Sequence, residues 1–275
     1  MSYKRILTIQ DISCLGQCSL TVALPILSAC GIETAILPSA VLSTHTAGFK
    51  GFTFRDLSDD MPAIADHWVK EGIQFDAIYT GYLGSIQQID YVKDIAEKCL
   101  KVGGKKIIDP AMADNGALYS IFDMNYAHEM STLCSQADII LPNITEACFM
   151  TSTEYKTEYD QEYILNLLQK LSPDGKVTVV LTGVSYTPDT TGVVVYENRT
   201  YSYYEHKKIS KGCHGTGDVY ASAFTGALLN GHSTYEAAKI AADYVVSCIE
   251  YTQKDPTHWY GVKFEAKLAE LIQSL

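Results

Sequence analysis

The chain has 275 residues, 47% of them hydrophobic and 19% charged, which allows a sizeable core and argues against disorder. Its 21 basic residues are outweighed by 32 acidic ones, for a net charge of −11, and no Lys/Arg cluster stands out. That balance argues against nucleic acid as a partner. An anionic substrate would need local help from backbone N–H groups, a helix N-terminus or a cation. No apolar stretch reaches the roughly 18 residues that a membrane helix needs, and Met1–Arg5 does not read as a secretory leader. Eight scattered cysteines then read as reduced thiols of a cytoplasmic protein. Cys14 and Cys18 lack a second pair at zinc-finger spacing.

In chain order, Arg5–Ile9 predicts a buried strand followed by a loop from Gln10 to Ser19. A helix over Leu20–Cys30, closed by Gly31, leads to a strand over Glu33–Leu37. Asp59–Lys70 predicts a helix with Pro62 in its first turn, and Phe75–Tyr79 a strand stopped by Gly81. Gln88–Val102 predicts a helix, Lys106–Ile108 a strand ending at Asp109-Pro110, and Ala137–Leu141 a strand ending at Pro142-Asn143. Val177–Leu181 is read as a strand, Thr191–Tyr196 with Thr200–Tyr204 as a hairpin, and Thr216–Leu229 and Ser233–Tyr251 as helices. The alternation predicts an α/β fold, with a mostly parallel central sheet covered by helices on both faces, built as one domain over 1–275.

Asp11, Tyr82, Asp109, Asn143 and Thr182 follow strand ends, where open α/β sheets bind ligands. Turn chemistry alone accounts for each of them singly. The strongest motif is Gly212-Cys213-His214-Gly215-Thr216-Gly217-Asp218, running into the apolar helix that begins at Val219. Such a loop presents free N–H groups at the positive end of a helix dipole. Gly215 and Gly217 clear space for an anion, and Asp218 is placed to take a proton from an attacking hydroxyl. A glycine-rich helix start with a capping acid remains the structural alternative. The P-loop, dinucleotide, nucleophile-elbow and zinc-protease motifs are all missing.

Gly215-Thr216-Gly217-Asp218 is similar to the signature of ribokinase-like kinases, a three-layer α/β fold. Ser43-Thr44-His45-Thr46, Thr80-Gly81-Tyr82-Leu83-Gly84-Ser85, Asp109-Pro110-Ala111-Met112-Ala113-Asp114 and Asn143-Ile144-Thr145-Glu146 resemble, in order, segments of the vitamin B6 kinase branch. The resemblance implies phosphorylation of a B6 vitamer by ATP, with Asp218 as base and Gly215, Thr216 and Gly217 as the anion hole. It further implies Mg²⁺ near Asp109 and Glu146, and a triphosphate along Asp114, Tyr119, Asn143 and Thr182. Asp11, Thr46 and Tyr82 would border the vitamin ring. Asn143 with Glu146 has equally the spacing of a capping box. Potassium activation and homodimerisation are common in the family.

The sequence departs from the branch at three places. Asp11 replaces a frequent Ser, Leu141 a frequent Thr, and Cys213-His214 is closer to hydroxymethylpyrimidine kinases. Those kinases of thiamine synthesis are the second reading. A sugar or nucleoside kinase and a non-catalytic B6-binding protein are weaker ones.

Overall fold

The computed structural model describes residues 3–209 and 213–275. Strand β1 (Arg5–Ser13) leads through α1 (Leu20–Ala29) to β2 (Glu33–Leu42), β3 (Phe54–Asp56) and α2 (Met61–Lys70). Next come β4 (Phe75–Thr80), α3 (Ile86–Cys99), β5 (Leu100–Ile108), the short β6 (Ala113–Asp114) and β7 (Ala117–Leu118), and α4 (Met124–Ser135). The chain continues through β8 (Ile139–Ile140), α5 (Ile144–Met150), α6 (Gln161–Leu171), β9 (Thr178–Val184), β10 (Thr190–Glu197) and β11 (Thr200–Lys207). It closes with α7 (Thr216–Leu229), α8 (Thr234–Thr252), a 3₁₀ turn and α9 (Leu268–Ser274).

The main sheet has the order β11-β10-β9-β8-β5-β4-β1-β2-β3. Strands β9 through β2 in that order are parallel, while β10, β11 and β3 are antiparallel edges. Alternate strand residues feed two cores, as a two-sided sheet requires. Leu7, Ile9 and Ile78 pack with α2 to α6, whereas Ile6, Ala77, Tyr79 and Ile107 pack with α1, α7, α8 and α9. This is the ribokinase-like arrangement expected from the motifs. The chain reverses its direction of travel across the sheet between β1 and β4, which opens a crevice at their carboxyl ends. No helix of the described residues is long and apolar enough to cross a membrane.

Several boundaries differ from the sequence expectations. Strand β1 continues past Ile9 to Ser13, because β2 itself runs on to Leu42 and supplies a partner edge. Asp11 therefore sits at the irregularity between Gln10 and Ile12, inside a strand instead of on a free loop. Helix α3 stops at Cys99, and Leu100 already pairs with Phe75, with residues 101–104 bulged out before Lys105 rejoins the ladder. Gly103, at φ 78°, makes that bulge possible. Strand β9 runs through Thr182-Gly183 to Val184, because β10 pairs along it.

Candidate active site

Helix α7 starts at Gly215, which takes a left-handed φ of 76°. A Cβ there would lie 1.8 Å from the Gln17 carbonyl oxygen, so the loop before α1 presses on bare backbone. A Cβ on Gly217 would meet nothing within 4 Å, which leaves that glycine facing open space. Gly212, the first residue of the motif, lies outside the described residues. Asp218, in the first turn of α7, is half-buried. Its carboxyl is pushed up to about 8, first by burial, then by the charges of Asp109 and Asp11.

Asp109 ends β5, with its N–H donated to the Thr80 carbonyl at 3.0 Å. Glu146 is 3% exposed on α5. Burial raises both carboxyls, and each lies in a field of negative charge: Glu146 raises Asp109, and Asp114 raises Glu146. Asn143 and Glu146 do form the capping box: the Glu146 N–H donates to Asn143 Oδ1 at 2.9 Å and the Asn143 N–H to Glu146 Oε2 at 2.8 Å. Glu146 Oε1 also accepts from the Met112 N–H at 3.1 Å, and Asn143 Nδ2 donates to the Ala113 carbonyl at 2.8 Å. The cap thus anchors the segment that carries Asp109 and Asp114.

No cluster of three or more metal-ligating side chains occurs among the described residues. The donor set nonetheless fits Mg²⁺, a hard ion that keeps several waters and leans on one or two carboxylates and phosphates. Two buried carboxyls that raise their own proton affinity offer such an ion a favourable exchange of charge.

Asp114 sits on the β6–β7 hairpin, whose turn Asn115-Gly116 has φ values of 51° and 80°. Asp114, Asn143, Thr182 and Gly183 line a cleft of about 590 Å³. Tyr155, Tyr159 and Tyr186, none of which the sequence singled out, and Lys208 line it too. The Thr182 N–H donates to the Pro142 carbonyl at 2.9 Å, which sets Thr182 beside Asn143. Tyr119 is 41% exposed and is not part of that lining; its hydroxyl is raised by desolvation, with help from Glu146, Asp109, Asp218 and Asp114.

Asp11 is 5% exposed, its carboxyl raised by burial and bonded by the Ser13 hydroxyl. The Ser13 bond measures 3.0 Å. Tyr82 faces the same carboxyl; its hydroxyl is pushed up to about 12 by burial, then by Asp11 and Asp56. Its ring packs 5.7 Å from that of Phe122. Thr46 is exposed on the loop after β2 and is not drawn into this group. Its neighbour His45 is a rivet: Nε2 donates to the Tyr260 carbonyl at 2.6 Å, and Nδ1 accepts from the Ala47 N–H at 3.1 Å. Gly16 lies under that ring, where a Cβ would be 2.1 Å away. Ser13 and Ser19 went unmarked in the sequence, because single Ser residues in a loop carry no signal there; Cys18, weighed only as a zinc ligand with Cys14, has its thiol raised by burial and by Asp218 and Asp11.

The phosphomethylpyrimidine kinase family model matches residues 27–262. The chain belongs to this kinase family. A candidate phosphomethylpyrimidine kinase from Bacteroides thetaiotaomicron VPI-5482 is 37% identical, with a TM-score of 0.94 over 98% of this chain and 94% of that one. An orthorhombic crystal form of that protein is described with pyridoxal. Pyridoxal kinase from Lactobacillus plantarum is 29% identical, with a TM-score of 0.91 over 99% and 98% of the two chains. The hydroxymethylpyrimidine/phosphomethylpyrimidine kinase of Bacillus subtilis (strain 168) is 26% identical over 78% of this chain and 77% of its own. Relatives of similar distance thus carry both B6 and pyrimidine names.

The raised carboxyls make stability depend on pH. Asp11, Asp109, Glu146 and Asp218 hold their protons more tightly folded than unfolded. Their contribution is full below the unfolded value of about 4 and is lost as pH rises through the folded value. For Asp218 that folded value is about 8. The apoprotein should lose stability between about pH 5 and about pH 8, on the order of a few kcal/mol. Urea midpoints across that range measure the loss, and Asp218→Asn should reduce it. A midpoint that stays flat or rises would contradict the assignment.

Proposed function

We propose that the protein is a vitamin B6 kinase, which transfers a phosphoryl group from ATP to the 5′-hydroxymethyl group of pyridoxal, pyridoxamine or pyridoxine. The observation that supports it most is the placement of Asp218 in the first turn of α7 behind Gly215-Thr216-Gly217, near enough to Asp109 and Asp11 for both charges to raise its carboxyl. A base beside an acid assigned to the phosphates and an acid assigned to the ring suits transfer from one bound molecule to another.

In this reading Asp218 accepts the hydroxymethyl proton as the oxygen attacks. Its raised pKa, near the working pH, suits a general base. The N–H groups at Gly215, Thr216 and Gly217 receive the charge that builds on the transferring group. Asn143, Thr182, Asp114 and Tyr119 border the phosphates, and the cleft, lined also by Tyr155, Tyr159 and Tyr186, leaves room for the rest of the nucleotide. Mg²⁺ beside Asp109 and Glu146 would supply the positive charge that the phosphates need among so many acids. Asp11 and Tyr82 take the vitamin ring, with Thr46 at its rim. By analogy with the family, the enzyme is a single domain over 1–275, a cytoplasmic homodimer, and activated by potassium.

The second reading, a hydroxymethylpyrimidine (phosphate) kinase, is favoured by Asp11, since a carboxyl can pair with a ring nitrogen and an adjacent amino group together. The B6 reading is preferred because the relative at 37% identity is described with pyridoxal. Retention of Asp218 and the full Gly-Thr-Gly argues against a non-catalytic binder.

Asp11 should set vitamer preference. An ionised carboxylate favours a protonated pyridine or the ammonium of pyridoxamine, and offers a free aldehyde nothing comparable. Asp11→Ser should raise the kcat/KM ratio of pyridoxal over pyridoxamine by about 10-fold, as expected for a charge-assisted hydrogen bond in a dry site. An identical ratio in wild type and variant, across several pH values, would remove Asp11 from vitamer reading.

A further inference from the structure

The turn that joins β7 to α4 runs over Tyr119-Ser120-Ile121-Phe122 and is closed by the Phe122 N–H, which donates to the Tyr119 carbonyl at 2.9 Å. It hangs from the segment that Glu146 anchors: the Tyr119 N–H donates to the Met112 carbonyl at 2.9 Å, and the Met112 N–H to Glu146 Oε1 at 3.1 Å. Ile121 is 63% exposed, while Phe122 beside it is half-buried. Asp123 then caps α4 by accepting from the Tyr126 N–H at 2.9 Å. The rings of Phe122 and Tyr126, on either side of that cap, lie 3.8 Å apart and within 11° of parallel. An apolar pair across a helix start fixes the entry of the chain, as a hydrophobic staple does.

Phe122 reaches further than a staple requires. Its ring also packs 5.7 Å from that of Tyr82, at 36°. Tyr126, 3% exposed, donates its hydroxyl to the Leu83 carbonyl at 2.6 Å. Two consecutive residues just past β4 are therefore held by α4 and the turn before it, Leu83 through a buried hydrogen bond and Tyr82 through a ring. A Tyr side chain that is already confined loses less rotamer freedom when a ligand packs on it. We propose that Phe122 is a positioning residue of the acceptor site: it sets the ring of Tyr82 for the acceptor's aromatic ring and is itself held flat against Tyr126. Phe122 acts through Tyr82, so the proposal rests on the reading of Tyr82 as a wall of that site.

Phe122→Leu and Phe122→Tyr test it in the full-length enzyme, with Tyr82→Leu in parallel and with whichever acceptor, B6 vitamer or pyrimidine alcohol, the wild type phosphorylates best. Leucine keeps an apolar side chain at the helix start but loses the flat face, and tyrosine keeps the face. Phe122→Leu should raise the acceptor KM about 3- to 10-fold, the scale of one aromatic pair, while kcat and the KM for ATP stay near wild type. Phe122→Tyr should recover most of that loss. A residue that served only the start of α4 would lower the melting temperature and leave the acceptor KM alone. A wild-type acceptor KM in Phe122→Leu, KM values for acceptor and ATP that rise together, or a Phe122→Tyr protein as impaired as Phe122→Leu overturns the proposal. In the first case, Tyr82→Leu locates the fault: a raised acceptor KM there puts it with Phe122 alone, and an unchanged one with the reading of Tyr82 itself.

Discussion

Asp218→Asn should lower kcat by about 10²–10⁴-fold, the range that loss of a general base produces, while ATP and acceptor still bind within a modest factor. The substitution keeps the shape of the side chain and its place in the first turn of α7. It removes a basic group whose pKa of about 8 is set mainly by burial, with Asp109 and Asp11 adding to it. Because a buried charge disappears as well, the variant should be no less stable than wild type near neutral pH, and more stable above it. Its low rate would then be a defect of chemistry and not of folding. Rapid-quench turnover with paired binding titrations separates the two effects. A variant that keeps most of its kcat removes Asp218 from the mechanism.

Gly215→Ala should be nearly as damaging, for a different reason. Two obstacles meet the added Cβ: the left-handed φ of 76° and the Gln17 carbonyl oxygen at 1.8 Å. The obstructing atom is backbone, so it cannot swing aside as a side chain would. Either the loop before α1 or the start of α7 must shift, and the N–H groups there lose their aim. Removing one preorganised donor of this kind costs about 10²–10³-fold in kcat, and left-handed strain adds about 1–2 kcal/mol of destabilisation. Gly217→Ala is the informative comparison, since its Cβ meets nothing in the protein. That variant should fold as wild type and still lose activity if an anion approaches the bare backbone there. Equal activity of Gly215→Ala and wild type would end the anion-hole assignment.

The parts of this fold that were legible in the sequence are those with strong local signals. Helix α7 forms over the expected Thr216–Leu229, because a glycine opens it and an apolar run sustains it. The hairpin of β10 and β11 flanks Asn198-Arg199 as expected, both of them at positive φ. Elements whose extent depends on a distant partner were not legible. Strand β1 lengthens only because β2 lies alongside, and α3 yields at Cys99 only because Phe75 pairs with Leu100. Helices α4 and α6 lie outside the expectations although Asp123 and Asp160 cap them, and Ile164, Leu167 and Leu168 stand at helical spacing; their signals were present.

The site divides in the same way. Asp218, Asp109 and Glu146 were recognisable as motif members, Tyr119 only through the family resemblance, and Asp11 as an acid after a strand end that departs from the family pattern; their charges act on one another. The capping box of Asn143 and Glu146 was equally readable, and both aspects coexist in one geometry. The positive φ of Ser19 was not readable, since no residue type announces such an angle at a serine. The tyrosines that line the cleft come together from the α5–α6 and β9–β10 connections, far apart in sequence.

The measurement that tests the central claim most directly is steady ATP consumption by the purified protein with Mg²⁺, using pyridoxal, pyridoxamine, pyridoxine and the hydroxymethylpyrimidine alcohol as separate acceptors. The account predicts turnover that requires an acceptor, a kcat/KM highest for a B6 vitamer, and a product carrying phosphate on the 5′-hydroxymethyl oxygen. A kcat/KM highest for the pyrimidine alcohol would contradict the B6 assignment, and no acceptor-dependent turnover with any of the four would contradict catalysis by this site.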